Sequence, residues 1–259
     1  MPVGRWLTHP MSRSPLHRDV MQVLIGEIVA GRFGEGDLLP TGPELAGQFG
    51  VSVGVVRESL QGLQERGLVE VKHGHGTTVR AEEDWGRFDP DVLAALLGGS
   101  RAAGVLGEYL ECRRVLEVEA AGLAAQRAVT EAVDGVAGAF QRMRATAERA
   151  RTNRAAEPQY READIGFHRA VVRAAGNPTL GQMTAPIHRA LTTTFGALAR
   201  PQDRFERGLP EHERILDAIA AGDPEAARTA MRDHLLTVEE YLNEYARGSR
   251  RRARRRSLG

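Results

Sequence analysis

The sequence predicts a mainly α-helical protein, in which a small N-terminal unit with one β-hairpin is followed by an all-α antiparallel helical bundle. Two patterns support this fold class. Residues 44–79 contain two apolar helical stripes separated by a glycine turn, and then a short stretch that alternates as a strand does. From Pro90 almost to the end of the chain, apolar residues recur at a helical period without a strand pattern. At 259 residues the chain is long enough for two domains with separate cores.

The N-terminal unit is predicted at residues 15–80. Residues 1–14 contain Pro, Ser and Arg without any period and predict a mobile arm. A first helix then runs from about Leu16 to Ala30, and an extended segment leads from it into a second helix.

The second and third helices form the most informative motif of the chain. Leu45, Ala46 and Phe49 share one helical face, and Gly50 suits a left-handed turn after it. Ser52 is a good N-cap for the third helix, and alternating valines with a glycine-rich tip predict a hairpin after that helix. This order predicts a winged helix-turn-helix whose third helix enters the major groove of double-stranded DNA. The alternative is a small packing unit without a partner.

The candidate DNA contacts lie on the third helix and on the wing. They are Ser52, Arg57, Ser59, Lys72, His73 and His75. Residues 1–80 carry eight basic and eight acidic side chains, so the prediction depends on the motif and not on net charge.

The rest of the chain is predicted as a polar linker at residues 81–89, a helical domain at residues 90–246 and a basic, disordered tail at residues 247–259. The tail holds seven arginines, and without them the chain is net acidic. Pro178 and Pro224 mark helix starts. The helices are expected at about 90–98, 103–128, 130–151, 157–175, 178–199, 208–221 and 224–246.

Composition predicts a cytoplasmic protein without a membrane span. There is no long uncharged apolar run and no signal-peptide pattern. Cys112 is the single cysteine, so no intramolecular disulfide can form.

Four residues of the helical domain have spacings that suit a metal site. Asp164 and His168 lie four positions apart on one helical face. His212 and His234 lie at similar heights on either side of the turn at Gly222. One carboxylate and three imidazoles predict a divalent cation, with zinc first and nickel, manganese or iron as alternatives. The competing interpretation is a surface Asp–His ion pair. His188 is not included in the predicted site.

Arg113 lies in an apolar helix and must find an anion if it is buried. It could bind a carboxylate ligand at the metal, or it could form an ion pair with Glu117, four residues later. The sequence does not decide between these alternatives.

These motifs resemble a GntR-family transcriptional regulator of the FadR subfamily, from Leu16 to about Tyr245. In the first domain the similar segments are Gly36-Asp37-Leu38-Leu39-Pro40, Glu44-Leu45-Ala46, Val51-Ser52, Val56-Arg57-Glu58-Ser59-Leu60 and Gly67-Leu68-Val69-Glu70. In the second they are Arg113, Leu116-Glu117, Ala124-Ala125, Asp164, Phe167-His168, Gly176-Asn177-Pro178, His212 and His234.

The resemblance implies an all-helical FCD domain that binds an effector and forms a homodimer on a palindromic operator. It also implies that Arg113 binds a small carboxylate effector of the sugar-acid or hydroxy-acid type. The implied metal ligands are Asp164, His168, His212 and His234. Two positions depart from the family, because Pro43 and Val53 stand where arginines usually contact DNA.

The sequence therefore predicts a regulator, a repressor in the first instance, and not an enzyme. The alternative is a metal-dependent hydrolase with an Asp/His₃ site, which would have no need of residues 44–79. A third possibility is a protein that coats DNA without sequence preference through its arginine tail.

Overall fold

The computed structural model describes residues 16–72, 74–99, 101–194 and 204–256, and the chain divides into two compact units between residues 100 and 101. The first unit contains α1 (Leu16–Val29), α2 (Gly42–Phe49), α3 (Val53–Glu65), β1 (Val69–Lys72), β2 (Gly76–Val79) and α4 (Pro90–Gly98). The second contains α5 (Ala102–Arg127), α6 (Thr130–Thr152), α7 (Glu157–Ala174), α8 (Pro178–Thr194), α9 (Arg204–Ala220) and α10 (Pro224–Arg256). The predicted fold class is confirmed. The predicted arm at residues 1–14 lies outside the described residues.

The turn between α2 and α3 is built as the sequence predicts. The Glu44 carboxylate accepts hydrogen bonds from the Thr41 backbone N–H and hydroxyl, which fixes the start of α2. Gly50 ends α2 in the left-handed conformation, with φ at 65°. The Ser52 hydroxyl then accepts a hydrogen bond from the Val55 N–H and caps α3.

The hairpin pairs β1 and β2 antiparallel, with Val69 opposite Val79 and Lys72 opposite Gly76. The extended segment before α2 joins its edge, since Leu39 N–H donates to the Thr77 carbonyl. Leu24, Val56 and Leu63 are buried in the core of this unit.

The first unit continues beyond residue 80, where the sequence analysis ended it. α4 packs against α1, and Arg66 at the end of α3 makes ion pairs with Asp89 and Asp91 at the start of α4. Gly67 has φ at +74°, and a Cβ at this position would clash with the Asp84 carbonyl oxygen. The predicted linker at residues 81–89 is therefore packed onto the first unit. The prediction that α4 begins the helical domain was wrong because it used helical period alone.

The second unit is a bundle in which α5 packs against α7 and α10, and α6 packs against α7 and α9. A large buried apolar cluster of this unit includes Phe140, Met143 and Phe167. α10 continues to Arg256, so residues 247–256 are helical and the prediction of a disordered tail was wrong there. Alanine and arginine favour a helix, and no proline interrupts this segment. Among the described helices, none is both long and apolar enough to cross a membrane.

Candidate metal centre and nucleic-acid interface

Three buried histidines meet in the second unit, each from a different helix. His168 lies on α7, His212 on α9 and His234 on α10, and their ligand nitrogens all lie within 4.8 Å of one another. Asp164 lies one turn before His168, and its Oδ1 is 3.4 Å from the Nε2 of His212. The structure therefore brings together all four residues that the sequence analysis selected as metal ligands.

Each histidine has an oxygen atom beside its Nδ1. His234 Nδ1 lies 2.8 Å from Oε2 of Glu211, and His212 Nδ1 lies 2.6 Å from the Gly208 carbonyl oxygen. His168 Nδ1 lies 2.6 Å from Oε2 of Glu117, at ion-pair distance but without good hydrogen-bond angles. Histidine ligands of metals typically donate their second ring N–H to an oxygen in this way. The Nε2 atoms are consequently left as the ligating atoms.

The spacing of these Nε2 atoms fits a metal. Nε2 of His168 and Nε2 of His212 lie 3.3 Å apart. If both rings carry their proton on Nδ1, two lone pairs face each other at this distance and a cation between them is favourable. Two nitrogens bound to tetrahedral zinc at ~2.0–2.1 Å are also about 3.3 Å apart. The donor set and its geometry therefore fit a divalent cation such as zinc.

Burial favours the neutral form of His168 and His234, which is the form that binds a metal. Burial, together with the charge of Arg113, lowers the pKa of His168 from 6.5 to about 3. Burial and the neighbouring His212 also lower the pKa of His234 well below its usual value.

Arg113 and Glu117 form the buried ion pair that was one of the two alternatives from sequence. Arg113 Nε donates to Glu117 Oε1 at 2.9 Å, and both side chains are almost fully buried. Burial alone would raise the pKa of Glu117, but the charge of Arg113 and the contacts with His168 and His188 hold it well below its usual value. Nη2 of Arg113 is buried and has no hydrogen-bond partner among the described residues. The ion pair is thus present, while one arm of the guanidinium remains available to a second anion.

His188, which is not among the predicted metal ligands, belongs to the same network. It is fully buried on α8, and its Nε2 lies 2.6 Å from Glu117 Oε1. Glu117 therefore contacts Arg113, His168 and His188 at once. No other histidine, cysteine, aspartate or glutamate lies within two turns of His188 in the sequence, so helical spacing gave no signal for it.

Of the six predicted DNA contacts, four are exposed, one is buried and one lies outside the described residues. Ser52, Arg57 and Lys72 are exposed, and Arg57 makes no ion pair within the described part of the chain. Nζ of Lys72 lies 2.9 Å from Oε2 of Glu70. His75 is exposed on the wing, whereas His73 lies outside the described residues.

Ser59 is the exception, and the prediction that it contacts DNA was wrong. Its side chain is fully buried, and its hydroxyl lies 2.9 Å from each of two carbonyl oxygens, those of His17 and Val55. Ser59 lies three residues after the buried Val56 and therefore on the same buried face of α3. Its contact with His17 shows that this face meets α1.

The sequences of both units match families of known proteins. Residues 16–79 match the family described as bacterial regulatory proteins, gntR family, and residues 108–237 match the FCD domain. The transcriptional regulator LutR of Bacillus subtilis is 32% identical over 83% of this chain and 95% of its own length. The galactonate operon transcriptional repressor of Escherichia coli is 29% identical over 84% of this chain and 93% of its own length. Lar of Listeria monocytogenes shares the fold, with a TM-score of 0.60 at 18% identity over 90% of this chain and 99% of that one.

A winged helix-turn-helix joined to a helical domain of this type defines the class of DNA-binding transcriptional regulators. The chain belongs to the GntR family and carries an FCD domain. The expectation that it is not an enzyme is confirmed, because its family and relatives are regulators. The hydrolase alternative is therefore wrong.

Proposed function

We propose that this chain is a cytoplasmic repressor of the FadR subfamily that binds a palindromic operator as a homodimer. Its helical domain holds a divalent metal and a small carboxylate effector, and the effector changes the affinity for DNA. The observation that carries the proposal is the meeting of three buried histidines and Asp164 next to the buried Arg113–Glu117 pair.

The metal is supported by the histidine geometry. Each ring has an oxygen beside Nδ1, and His168 and His212 bring their Nε2 atoms to the spacing of a tetrahedral site. Zinc fits this set of ligands best, and nickel, manganese and iron also accept nitrogen and carboxylate ligands.

The effector is supported by Arg113. A buried guanidinium N–H without a partner is costly, and a carboxylate is its preferred partner. Because Arg113 and His168 both contact Glu117, a carboxylate that coordinates the metal could also accept a hydrogen bond from Nη2. A relative is named for a galactonate operon, which suggests sugar acids as the first compounds to test.

DNA binding is assigned to Ser52, Arg57, Lys72, His73 and His75. Val53 is 51% exposed at the start of α3, and Pro43 precedes the second turn of α2. Without arginines at these two positions, the operator of this protein should differ from the usual half-site of the family.

The experiment that tests the proposal begins with the DNA. The purified protein is titrated onto its own upstream intergenic DNA and onto an unrelated duplex of equal length, at about 150 mM salt. A specific complex is expected, and galactonate and related hydroxy acids are then tested for its release. Equal binding to both duplexes would contradict the assignment of a specific operator.

The metal and the effector are tested on variants. His212→Ala with His234→Ala should lose the bound metal measured by elemental analysis and should blunt the effector response. His17→Ala is the matched control, because it removes an imidazole from α1, in the other unit. Unchanged metal content in the double variant would refute the site. Arg113→Met combined with Glu117→Gln removes the ion pair without leaving a lone buried charge, and it should abolish effector release while specific DNA binding remains.

A further inference from the structure

A cavity of about 430 Å³ lies between α7 and α8 in the helical unit. Among the residues described as lining it, none is a predicted ligand of the metal centre, and none is acidic. Its charged groups are Arg169 and Arg173, which lie four residues apart on α7 and hence on one helical face. The cavity is therefore a separate, basic cleft.

The two arginines differ in what they already bind. Arg169 makes an ion pair with Glu162 at 3.0 Å and is 38% exposed. Arg173 is exposed and makes no ion pair with any described residue. A guanidinium in this setting pairs well with a carboxylate or a phosphate, since it can donate two parallel hydrogen bonds.

The wall of the cleft also contains His188, which is fully buried. Its Nε2 lies 2.6 Å from the carboxylate of Glu117, which can only accept, so the tautomer that fits this contact carries its hydrogen on Nε2 and leaves Nδ1 as an acceptor. Nδ1 is buried and has no hydrogen-bond partner among the described residues. The hydroxyl of Thr184, one turn earlier, cannot supply the hydrogen because it donates to the carbonyls of Leu180 and Gly181.

We propose that this cleft binds a hydroxylated metabolite that carries one carboxylate or phosphate group. The oxyanion pairs with Arg173 and Arg169, and a ligand hydroxyl donates to Nδ1 of His188. This site is distinct from the effector site at the metal. His188 nevertheless connects the two, because its other nitrogen bonds to Glu117, which contacts both Arg113 and His168.

The test is calorimetric titration of the full-length protein with glucose 6-phosphate, gluconate and glucose. At least one of the two anionic compounds binds, and the comparison between them distinguishes phosphate from carboxylate. Glucose does not bind, because it lacks the oxyanion.

Gly181→Leu gives the sharpest control of location. An added Cβ at Gly181 meets no atom within 4 Å, so a leucine occupies the space of the cleft without a clash at its Cβ. This variant loses binding of glucose 6-phosphate. In the background of His212→Ala with His234→Ala, where no sugar acid can bind at the metal, it also loses binding of gluconate. Gly135→Leu, at an exposed position of α6 where an added Cβ also meets nothing, retains it.

Arg173→Ala weakens binding by about tenfold or more, the typical effect of losing a hydrogen bond to a charged group. Arg144→Ala, an exposed arginine on α6, changes nothing. The double variant His212→Ala with His234→Ala still binds, which separates this cleft from the metal centre. The proposal is overturned if neither anion binds, if Gly181→Leu binds as tightly as the original chain, or if binding disappears with the metal ligands. None of these results bears on specific operator binding or on the metal content of the helical unit, which are measured separately.

Discussion

The two units of this protein bury very different side chains. In the described part of the first unit, the buried polar side chains are those of Ser59 and Thr77, which are uncharged. The second unit buries an arginine, a glutamate and four histidines. The members of this ionisable set are Arg113, Glu117, His168, His188, His212 and His234.

This difference indicates that the first unit binds at its surface, whereas the second unit binds in its interior. The first unit is an apolar core that holds exposed groups, such as Arg57, at its surface, where DNA can reach them. The core of the second unit contains charged and titratable groups beside its apolar side chains. These groups stabilise the fold only when each has a partner. The stability of the second unit should therefore depend on ligands and pH, and that of the first unit should not.

Metal removal should give the largest effect. A metal present at a thousand times its dissociation constant stabilises the native state by about 4 kcal/mol. A chelator should therefore lower the melting temperature of the helical unit strongly and leave that of the N-terminal unit in place. Calorimetry of the metal-loaded protein with and without EDTA measures both transitions. The comparison between the units fails if both transitions move together, or if the variant with His212→Ala and His234→Ala still responds to EDTA.

Loss of Arg57 should give the next largest effect, and it should be confined to the first unit. Arg57→Ala removes an exposed guanidinium from α3, and an arginine contact to a guanine is typically worth about 1–3 kcal/mol of discrimination. We expect a loss of operator affinity of about tenfold or more, with unchanged metal content and unchanged melting of both units. Arg144→Ala, which removes an exposed arginine from the helical unit, is the matched control. Equal affinity of the Arg57 variant and the original chain would remove Arg57 from the interface.

The sequence predicted the local elements of both units better than it predicted contacts between residues distant in the chain. The order of α1, α2, α3 and the hairpin, and the bounds of most bundle helices, follow from local period and from breakers such as Gly50 and Pro224. The four residues predicted as metal ligands also meet in the structure, because Asp164 and His168 share one helical face and the two other histidines flank one turn.

The predictions that failed depend on contacts between distant residues. α4 was assigned to the bundle because its period is helical, yet Arg66 and α1 hold it on the first unit. The place of His188 beside Glu117 joins residues 71 positions apart, which no local pattern reveals. The helical end of α10 was missed because a run of arginines was interpreted by its charge instead of by its helix propensity.

Acid should separate the two units in the metal-free protein. The pKa of His168 is about 3 in the folded chain and 6.5 as a free side chain, so the unfolded chain takes up a proton first as the pH falls. Stability should be complete above about pH 6.5 and should decline toward pH 3, by on the order of 1 kcal/mol per pH unit. The lowered pKa of His234 acts in the same direction, whereas the raised pKa of Glu211 acts against it.

Thermal unfolding between about pH 7 and pH 5, with the metal removed, measures this dependence. The transition of the helical unit should move to lower temperature, and that of the N-terminal unit should move much less. Glu117 also favours the charged form in the folded state, so protonation at still lower pH should extend the decline. A helical unit with no dependence on pH would mean that the buried histidines gain protons as readily in the folded chain as in the unfolded one.

The smallest effect should come from Ser59, and it is informative because it separates stability from DNA binding within the first unit. Ser59→Ala removes a buried hydroxyl that lies 2.9 Å from the carbonyls of both His17 and Val55. Because the Val55 carbonyl keeps its place in the helix, mainly the contact with α1 is lost, at a cost of about 1 kcal/mol. The melting temperature of the N-terminal unit should fall slightly, and operator affinity should not change. Ser52→Ala is the matched control on the exposed end of α3, where loss of the cap and of a predicted DNA contact should lower both quantities. The contrary outcome is that Ser59→Ala weakens DNA binding at constant stability. The Ser59 hydroxyl would then have to leave the core in the complex with DNA. In that case the first unit would not separate an apolar interior from an exposed binding surface.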